Sequence, residues 1–280
     1  MKEAWRSAAN NMDCDISHSV SGSFPVRDFH AHDRYEIFYF LEGSLQYYIE
    51  EQSFLLSPGD ILVIPPGLLH RPVFMNDAAI YERMVLMVHP VHAQRLLRSV
   101  PDSFVHRQTP PRHIVMQEES ERADFRRAMD QMLAAQDDAA GFLLRDTCLT
   151  QVLLMLDKAM QSDAVQSPGT LASVQQIIVY LNANFTKPLT LDEIAEKFHL
   201  SKYHLLRQFK AYTNATVHSY LLTKRIVLAK ALLKEGYRPQ EVCFSCGFGS
   251  YGSFYQAFLQ QEGVSPAEYL RRSRERFAES

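Results

Sequence analysis

The sequence predicts a multidomain protein. A β-barrel or sandwich comes first, a helical pair follows, and an all-α C-terminal domain carries two helix-turn-helix units. Three observations lead there. Residues 22–90 hold short apolar runs broken by Gly and Pro, the pattern of many short strands. Apolar residues recur at helical spacing from 91 to 160. From Thr190 onward, a helix start, a tight turn and an anchored second helix occur twice. The chain divides into a barrel at 1–90, a helical segment at 91–161, a linker at 162–170 and a helical domain with both helix-turn-helix units at 171–280. With 280 residues, two domains is the ordinary count.

In the first region, Gly22 to Arg27 is a loosely patterned lead-in arm. Phe29 to Leu41, Leu45 to Glu50, Ile61 to Ile64, Val73-Phe74 and Ile80 to Val88 read as strands. Turns fall at Glu42-Gly43-Ser44, Ser57-Pro58-Gly59-Asp60 and Pro65-Pro66-Gly67. His30, His32, Glu36 and Phe38 share even parity, so one strand would point all four to one face. His70 follows the Pro-Pro-Gly turn. Three readings of His30, His32, Glu36 and His70 stand side by side. They form a site for a divalent metal such as Fe, Mn, Ni or Zn. They hold the hydroxyls of a small effector directly. Or they hydrogen-bond one another and fix the strands.

The middle segment reads as helices. Leu96 and Leu97 lie in the first, and Phe125, Met129 and Met132 at i, i+4 and i+7 mark the second. Asp137 to Gly141 interrupts, and Phe142 to Met160 resumes with Leu149, Val152, Leu153 and Leu156 on one side, so the pair should be antiparallel. Ser162 to Thr170 is polar with a Pro-Gly break, as a linker would be.

In the first helix-turn-helix unit, Thr190 and Glu193 have the spacing of a capping box. Ser201 suits the N-cap of the next helix. Leu205 and Phe209 anchor that helix, leaving Tyr203, Leu206, Arg207 and Lys210 on other faces. In the second unit Pro239 suits a first helical turn, Gly247-Phe248 makes the turn, and Phe254 and Phe258 repeat the anchor spacing. Between the units, Thr216 to Glu235 reads as a helix of about 20 residues, roughly 30 Å. Adjacent major grooves on one DNA face are about 34 Å apart, so such a spacer could hold two recognition helices in them.

Charge agrees. From Leu171 onward there are 14 Lys and Arg against 9 Asp and Glu, net +5; the remainder is net −8, giving −3 overall. The basic part is the one with the helix-turn-helix units, as phosphate contact requires. No signal peptide and no apolar run near the bilayer-spanning length is visible, so a cytoplasmic protein with no membrane partner is expected. Four Cys do not form a disulfide framework in a reducing compartment, and Cys243 and Cys246 read as small core residues.

Residues 171–275 resemble the DNA-binding domain of the AraC/XylS family of bacterial transcription regulators. The segment 201–210, Ser-Lys-Tyr-His-Leu-Leu-Arg-Gln-Phe-Lys, is similar to the family's first recognition helix. Gly247-Phe248, Phe254, Phe258 and the run Gly263 to Tyr269 resemble its second half and closing signature. The chain departs from the pattern at Gln256, where the family has a basic residue, at Leu259, where it has Lys, and at Gly252 and Ser253. The spacings His30-x-His32-x3-Glu36-x6-Gly43 and Gly59-x5-Pro65-x-Gly67-x2-His70 resemble the two cupin motifs, a fold seen in the family's sensor domains.

The resemblance implies a cupin-like sensor barrel. A chain with a DNA-binding domain needs a sensor more than a turnover site, so a regulator is expected, with a metal-ion-responsive regulator and then a metal-dependent cupin enzyme as the alternatives. The resemblance also implies double-stranded DNA, a small-molecule effector, RNA polymerase and a second copy of the chain as partners, and activation of genes for carbohydrate use. Tyr203, Leu206 and Arg207 would face the major groove; Lys202, His204 and Lys210 would touch phosphates; Tyr251, Gly252, Tyr255 and Gln256 are the second unit's candidates, with Gln256 suited to adenine. No cofactor is required by this reading, a divalent metal being the one candidate.

Overall fold

The computed structural model describes residues 4–7, 13–21, 29–74, 80–107, 109–161, 165–166 and 173–278. It divides into two compact units: unit 1 is residues 1–27 and 32–170, and unit 2 is residues 28–31 and 171–280. The arm read at 22–27 and most of the linker read at 162–170 lie outside the described residues.

Among the described residues, unit 1 holds ten strands: β1 (Ala4–Ser7), β2 (Cys14–Ser21), β3 (Tyr35–Glu42), β4 (Leu45–Ile49), β5 (Gln52–Leu56), β6 (Ile61–Ile64), β7 (His70–Phe74), β8 (Tyr81–Val88), β9 (Arg112–Ile114) and β10 (Val165–Gln166). They form two sheets, a seven-stranded one ordered β1-β2-β8-β3-β6-β9-β10 and a three-stranded one ordered β5-β4-β7. The described pairings are antiparallel. Period-2 alternation sorts β3 cleanly. Phe38 and Phe40 enter the barrel interior with Leu45, Tyr47, Ile49, Phe54, Leu62 and Ile64. Tyr35, Ile37 and Tyr39 face the other way, into a core shared with the helices.

The sheet extends beyond the stretch that patterning marked. β1 and β2 precede residue 22, and β9 lies in the segment read as helical. β9 is tied down by His113, whose Nε2 is 2.8 Å from Asp60 Oδ2, both residues buried. Asp60 Oδ2 also accepts the Ser57 N–H at 2.8 Å, so the pair fixes the turn into β6.

Three α-helices and a 3-10 turn (Phe104–His106) complete the unit among the described residues: α1 (Pro90–Leu96), α2 (Glu119–Ala134) and α3 (Ala139–Met160). Arg145 donates to Ala135 O, Cys148 lies against Gln131, and Lys158 pairs with Glu121, which makes α2 and α3 antiparallel. Phe125, Met129 and Met132 meet Leu149, Val152, Leu153 and Leu156 over the outer face of β3. Helix α3 is long and apolar enough, by length and composition, to cross a membrane, contrary to the reading from sequence that no run approached this length. Arg145 and Asp146 interrupt the run without lowering its overall hydropathy enough to exclude it. In this fold the helix closes the core, with Asp157 accepting the Phe104 N–H.

Unit 2 holds seven helices among the described residues: α4 (Ser173–Asn184), α5 (Leu191–Lys197), α6 (Lys202–Thr213), α7 (Val217–Lys234), α8 (Pro239–Ser245), α9 (Tyr251–Glu262) and α10 (Pro266–Ala278). The caps are where local sequence puts them. Thr190 and Glu193 form the reciprocal capping box of α5. Ser201, Thr216 and Ser250 each accept the N3 amide of the helix they start. Ile226, Ala229 and Leu233 of α7 pack against Val242, Cys243, Cys246, Phe254 and Phe258.

Candidate functional site

Two places in the structure gather functional side chains, one in each unit.

In unit 1, Glu36 stands at the centre of a buried polar group that joins the two sheets. It comes from β3 of the larger sheet, while Tyr47 and His70 come from β4 and β7 of the smaller one. His32 Nε2 lies 2.8 Å and His70 Nε2 3.3 Å from the same oxygen, Glu36 Oε2. Tyr47 donates its hydroxyl to the other oxygen at 3.0 Å. The two imidazoles meet edge to face at 4.8 Å. Burial alone would raise the Glu36 carboxyl; the bonds from His32 and His70 outweigh it and hold the group well below the usual carboxylate range. Burial, then the neighbouring Glu36 charge, pushes the Tyr47 phenol well above its ordinary value, so it remains a donor.

The backbone fixes both rings. His32 Nδ1 donates to Arg34 O at 3.0 Å, and His70 Nδ1 to Leu68 O at 2.8 Å. A carbonyl only accepts, so each Nδ1 carries a proton and each Nε2 is turned toward the carboxylate. The loop before His70 is clamped in turn. Glu50 exchanges bonds with Leu69 through its backbone N–H and its carboxylate, and the Gly67 N–H donates to His32 O at 2.8 Å. The donor atoms of His32, Glu36 and His70 lie within 4.8 Å of one another, a size that suits one metal ion.

His30 does not belong to this group. The parity argument assumed one continuous strand from Phe29, but the chain bends at Asp33-Arg34 and β3 begins at Tyr35, so alternation does not carry from residue 30 to residue 36. Residue 30 lies in the short segment that groups with unit 2. Phe38 is in the barrel interior, 4.9 Å from the Tyr47 ring and buried, so it shapes the floor beneath the polar group. Tyr47 was not singled out from sequence; the alternation Leu45, Tyr47, Ile49 in β4 is the signal that turns it inward. Beside the Pro65-Pro66 turn a cavity of about 520 Å³ opens, lined by Tyr35, Leu68, Gln94 and Arg107 among others. That volume is in the range of small-molecule sites.

In unit 2, α5 and α6 form one helix-turn-helix and α8 and α9 the other. His199 and Gly247 make the two turns with positive φ, 54° and 82°. Leu205 and Phe209 bury α6, and Phe254 and Phe258 bury α9, each fully. This leaves Lys202, Tyr203, Leu206, Arg207 and Lys210 exposed on α6, with His204 half-buried. Tyr203 is 74% exposed, far more than a tyrosine needed for packing. Arg207 sits over the Tyr203 ring at 5.8 Å, and Lys202 pairs with Asp192 at 2.6 Å. On α9, Tyr251, Gly252 and Gln256 are exposed and Tyr255 is half-buried. Helix α7, between the units, has 18 residues, which is about 27 Å. Cys243 and Cys246 are both buried and free; burial and then Cys243 push the Cys246 thiol up to about 12. They belong to the core of this unit.

A sheet-rich domain and a double helix-turn-helix domain in one chain define a DNA-binding transcription regulator. Comparison with known proteins agrees: residues 20–153 match the AraC-like ligand binding domain family, and residues 194–272 match a helix-turn-helix domain family. The chain belongs to the AraC family of transcription regulators. It is 24% identical over 221 residues to the uncharacterised regulator YbfI of Bacillus subtilis, covering 78% of each chain. It is 27% identical over 139 residues to the transcriptional activator RhaS of Salmonella schwarzengrund, covering 49% of each. Among solved structures it resembles apo ToxT K231A of Vibrio cholerae, at 14% identity and a TM-score of 0.45, over 94% of this chain and 98% of that one. These relatives are regulators, not enzymes.

Proposed function

We propose that this protein is a cytoplasmic transcription activator whose grip on DNA is set by a small molecule bound in the N-terminal barrel. The observation that carries this is the buried group of His32, Glu36, Tyr47 and His70, which joins the two sheets of a ligand-binding domain. A ligand inserted there changes how the sheets are held together, and so has different affinities for two arrangements of the protein. Paired donors and acceptors suit a hydroxyl-rich molecule, and a carbohydrate is the class we assign. On DNA, Arg207 reads guanine, Tyr203 and Leu206 contact thymine methyls, and Lys202, His204 and Lys210 hold phosphates. The regulator acts as a homodimer, with RNA polymerase as its partner at the promoter.

A second reading is favoured by the ring tautomers. With both Nδ1 atoms donating to carbonyls, each Nε2 meets the carboxylate with a lone pair unless a cation lies between them. A proton on each ring satisfies this, and so does one divalent metal bound by His32, Glu36 and His70. Tyr47 then orients the ligating carboxylate from behind.

Thermal unfolding of the full chain against a panel of sugars and divalent metals, with and without chelator, separates the two. A ligand at a hundredfold excess over Kd raises stability by about 2.7 kcal/mol. A rise with one sugar that chelator leaves unchanged supports the first reading. A rise with metal alone, reversed by chelator, replaces it with the second. No rise with any sugar overturns the carbohydrate assignment.

A further inference from the structure

We propose that the recognition helix of the second helix-turn-helix unit reads A·T base pairs through an uncharged face, so that the salt dependence of DNA binding is carried by cations outside that helix, Lys210 of the first unit among them. The inference rests on the DNA-binding reading above and adds to it what the second half-site contains.

The two recognition helices can be aligned on their buried anchors. Leu205 and Phe209 on α6 correspond to Phe254 and Phe258 on α9, all fully buried. Counting from them, Tyr203, Leu206, Arg207 and Lys210 correspond to Gly252, Tyr255, Gln256 and Leu259. Each set runs i, i+3, i+4, i+7, one stripe on the outer side of its helix. The first stripe carries two cations. The second carries none, and α9 has no Lys or Arg anywhere between Tyr251 and Glu262. Its one charge, Glu262, sits at the far end and pairs with Lys230 at 2.9 Å. No side chain of α9 can therefore neutralise a phosphate, and the counterion release that drives salt dependence must come from elsewhere.

What α9 does offer is chemistry for A·T pairs. The Gln256 amide matches the N6 and N7 edge of adenine. Tyr255 and Leu259, one helical step to either side, present apolar surface to the thymine methyl. Tyr251 leans on the rings of Phe254 and Tyr255 at 5.9 and 6.4 Å, which braces the start of the stripe. Gly252 is the second sign of a close approach. A Cβ built there would meet nothing within 4 Å, and its φ is not positive. Neither packing nor backbone geometry asks for glycine at that position, yet glycine in a helix is less stable than alanine by about 0.5–1 kcal/mol. The omitted side chain leaves room on the outside of the helix, where the groove wall would come.

The test is selection of duplexes from a random library by the full-length protein, followed by salt titration of the best duplex. The variants are Arg207→Ala, Lys210→Ala, Gln256→Ala and Gln256→Arg. All three sites are exposed, so folding is not at risk. Selected duplexes should carry one half in which a guanine depends on Arg207 and a second, A·T-rich half in which an adenine depends on Gln256. Gln256→Ala should weaken binding about 5- to 150-fold with an unchanged salt slope. Gln256→Arg should exchange that adenine for guanine. Lys210→Ala should flatten the slope by about 0.9. A Gln256-dependent G·C pair, or a second half with no base preference beside an intact Arg207-dependent one, overturns the proposal alone. Selection that enriches no sequence, with Arg207→Ala binding like the parent, overturns the DNA-binding reading and the proposal with it.

Discussion

His199 and Gly247 occupy the same place in the two helix-turn-helix units, and both turn the chain with positive φ, 54° and 82°. Leu200 and Phe248 follow them, and their N–H groups reach back to Ala195 and Cys243 at 2.9 and 3.1 Å. The turn is thus the same device built from two residues. At Gly247 a Cβ would lie 2.2 Å from Thr186 O, so the packing as well as the dihedral demands glycine. Gly247→Ala should destabilise the protein by more than the 1–3 kcal/mol of a strained φ alone. His199→Gly should be close to neutral, since it relieves the dihedral while loosening the unfolded chain. Urea denaturation of the two variants checks the contrast; a Gly247→Ala variant as stable as the parent would show that neither the packing nor the dihedral demands glycine there.

The Tyr47 hydroxyl is a neutral donor to the buried Glu36 carboxylate, at 3.0 Å. Tyr47→Phe keeps the ring, its stacking on His70 and the packing on Phe38. It should lower stability by about 1.5–3 kcal/mol, the range for a bond to a charged group. An unchanged denaturation midpoint would place the hydroxyl elsewhere in solution.

How far sequence carried the site follows from where each signal resides. The helix starts at Thr190, Ser201 and Pro239 were legible because a cap is settled within four residues. Glu36 and His70 were legible because each lies in or beside a short strand with clear punctuation. His30 misled, because parity is informative only while a strand lasts, and the bend at Asp33-Arg34 ends it. β9 left no trace, since its reason to exist is the His113–Asp60 pair, formed across 53 positions of sequence. The strands before residue 22 were missed for the same reason: β2 is defined by its register with β8, from Cys14 opposite Val88 to Ser21 opposite Tyr81.

The four cysteines are buried and free, at positions 14, 148, 243 and 246. Burial pushes the Cys14 and Cys246 thiols up to about 12, and Cys148 and Cys243 move the same way. At neutral pH all four are thiols, and the thiolate is the reactive form. Native protein should therefore show no titratable thiol to a disulfide reagent, and denatured protein four. Fast reaction of two thiols in the native state would point to a redox or metal-binding role for Cys243 and Cys246 rather than a place in the core.

Helix α3 gives its inner face to the core of unit 1, yet Leu143 and Leu154 stand 70% and 43% exposed. They are eleven residues apart, three helical turns, with Thr147 and Gln151 between them on the same side. The homodimer proposed above needs exposed apolar side chains to bury, and these two leucines supply them. Fully burying a leucine contributes about 1.5–3 kcal/mol; the exposed parts of these two amount to about one leucine per chain, so over the two copies of a dimer they can contribute about 3–6 kcal/mol. The double variant Leu143→Glu, Leu154→Glu should weaken a dimer at least about 100-fold, at about 1.4 kcal/mol per factor of ten. Because both side chains are exposed in the single chain, the melting curve at low concentration should stay where it is. Sedimentation across a concentration series reads the outcome. A dimer that survives both substitutions would assign the interface to another face, and a chain already monomeric before substitution would remove the dimer from the proposed mechanism.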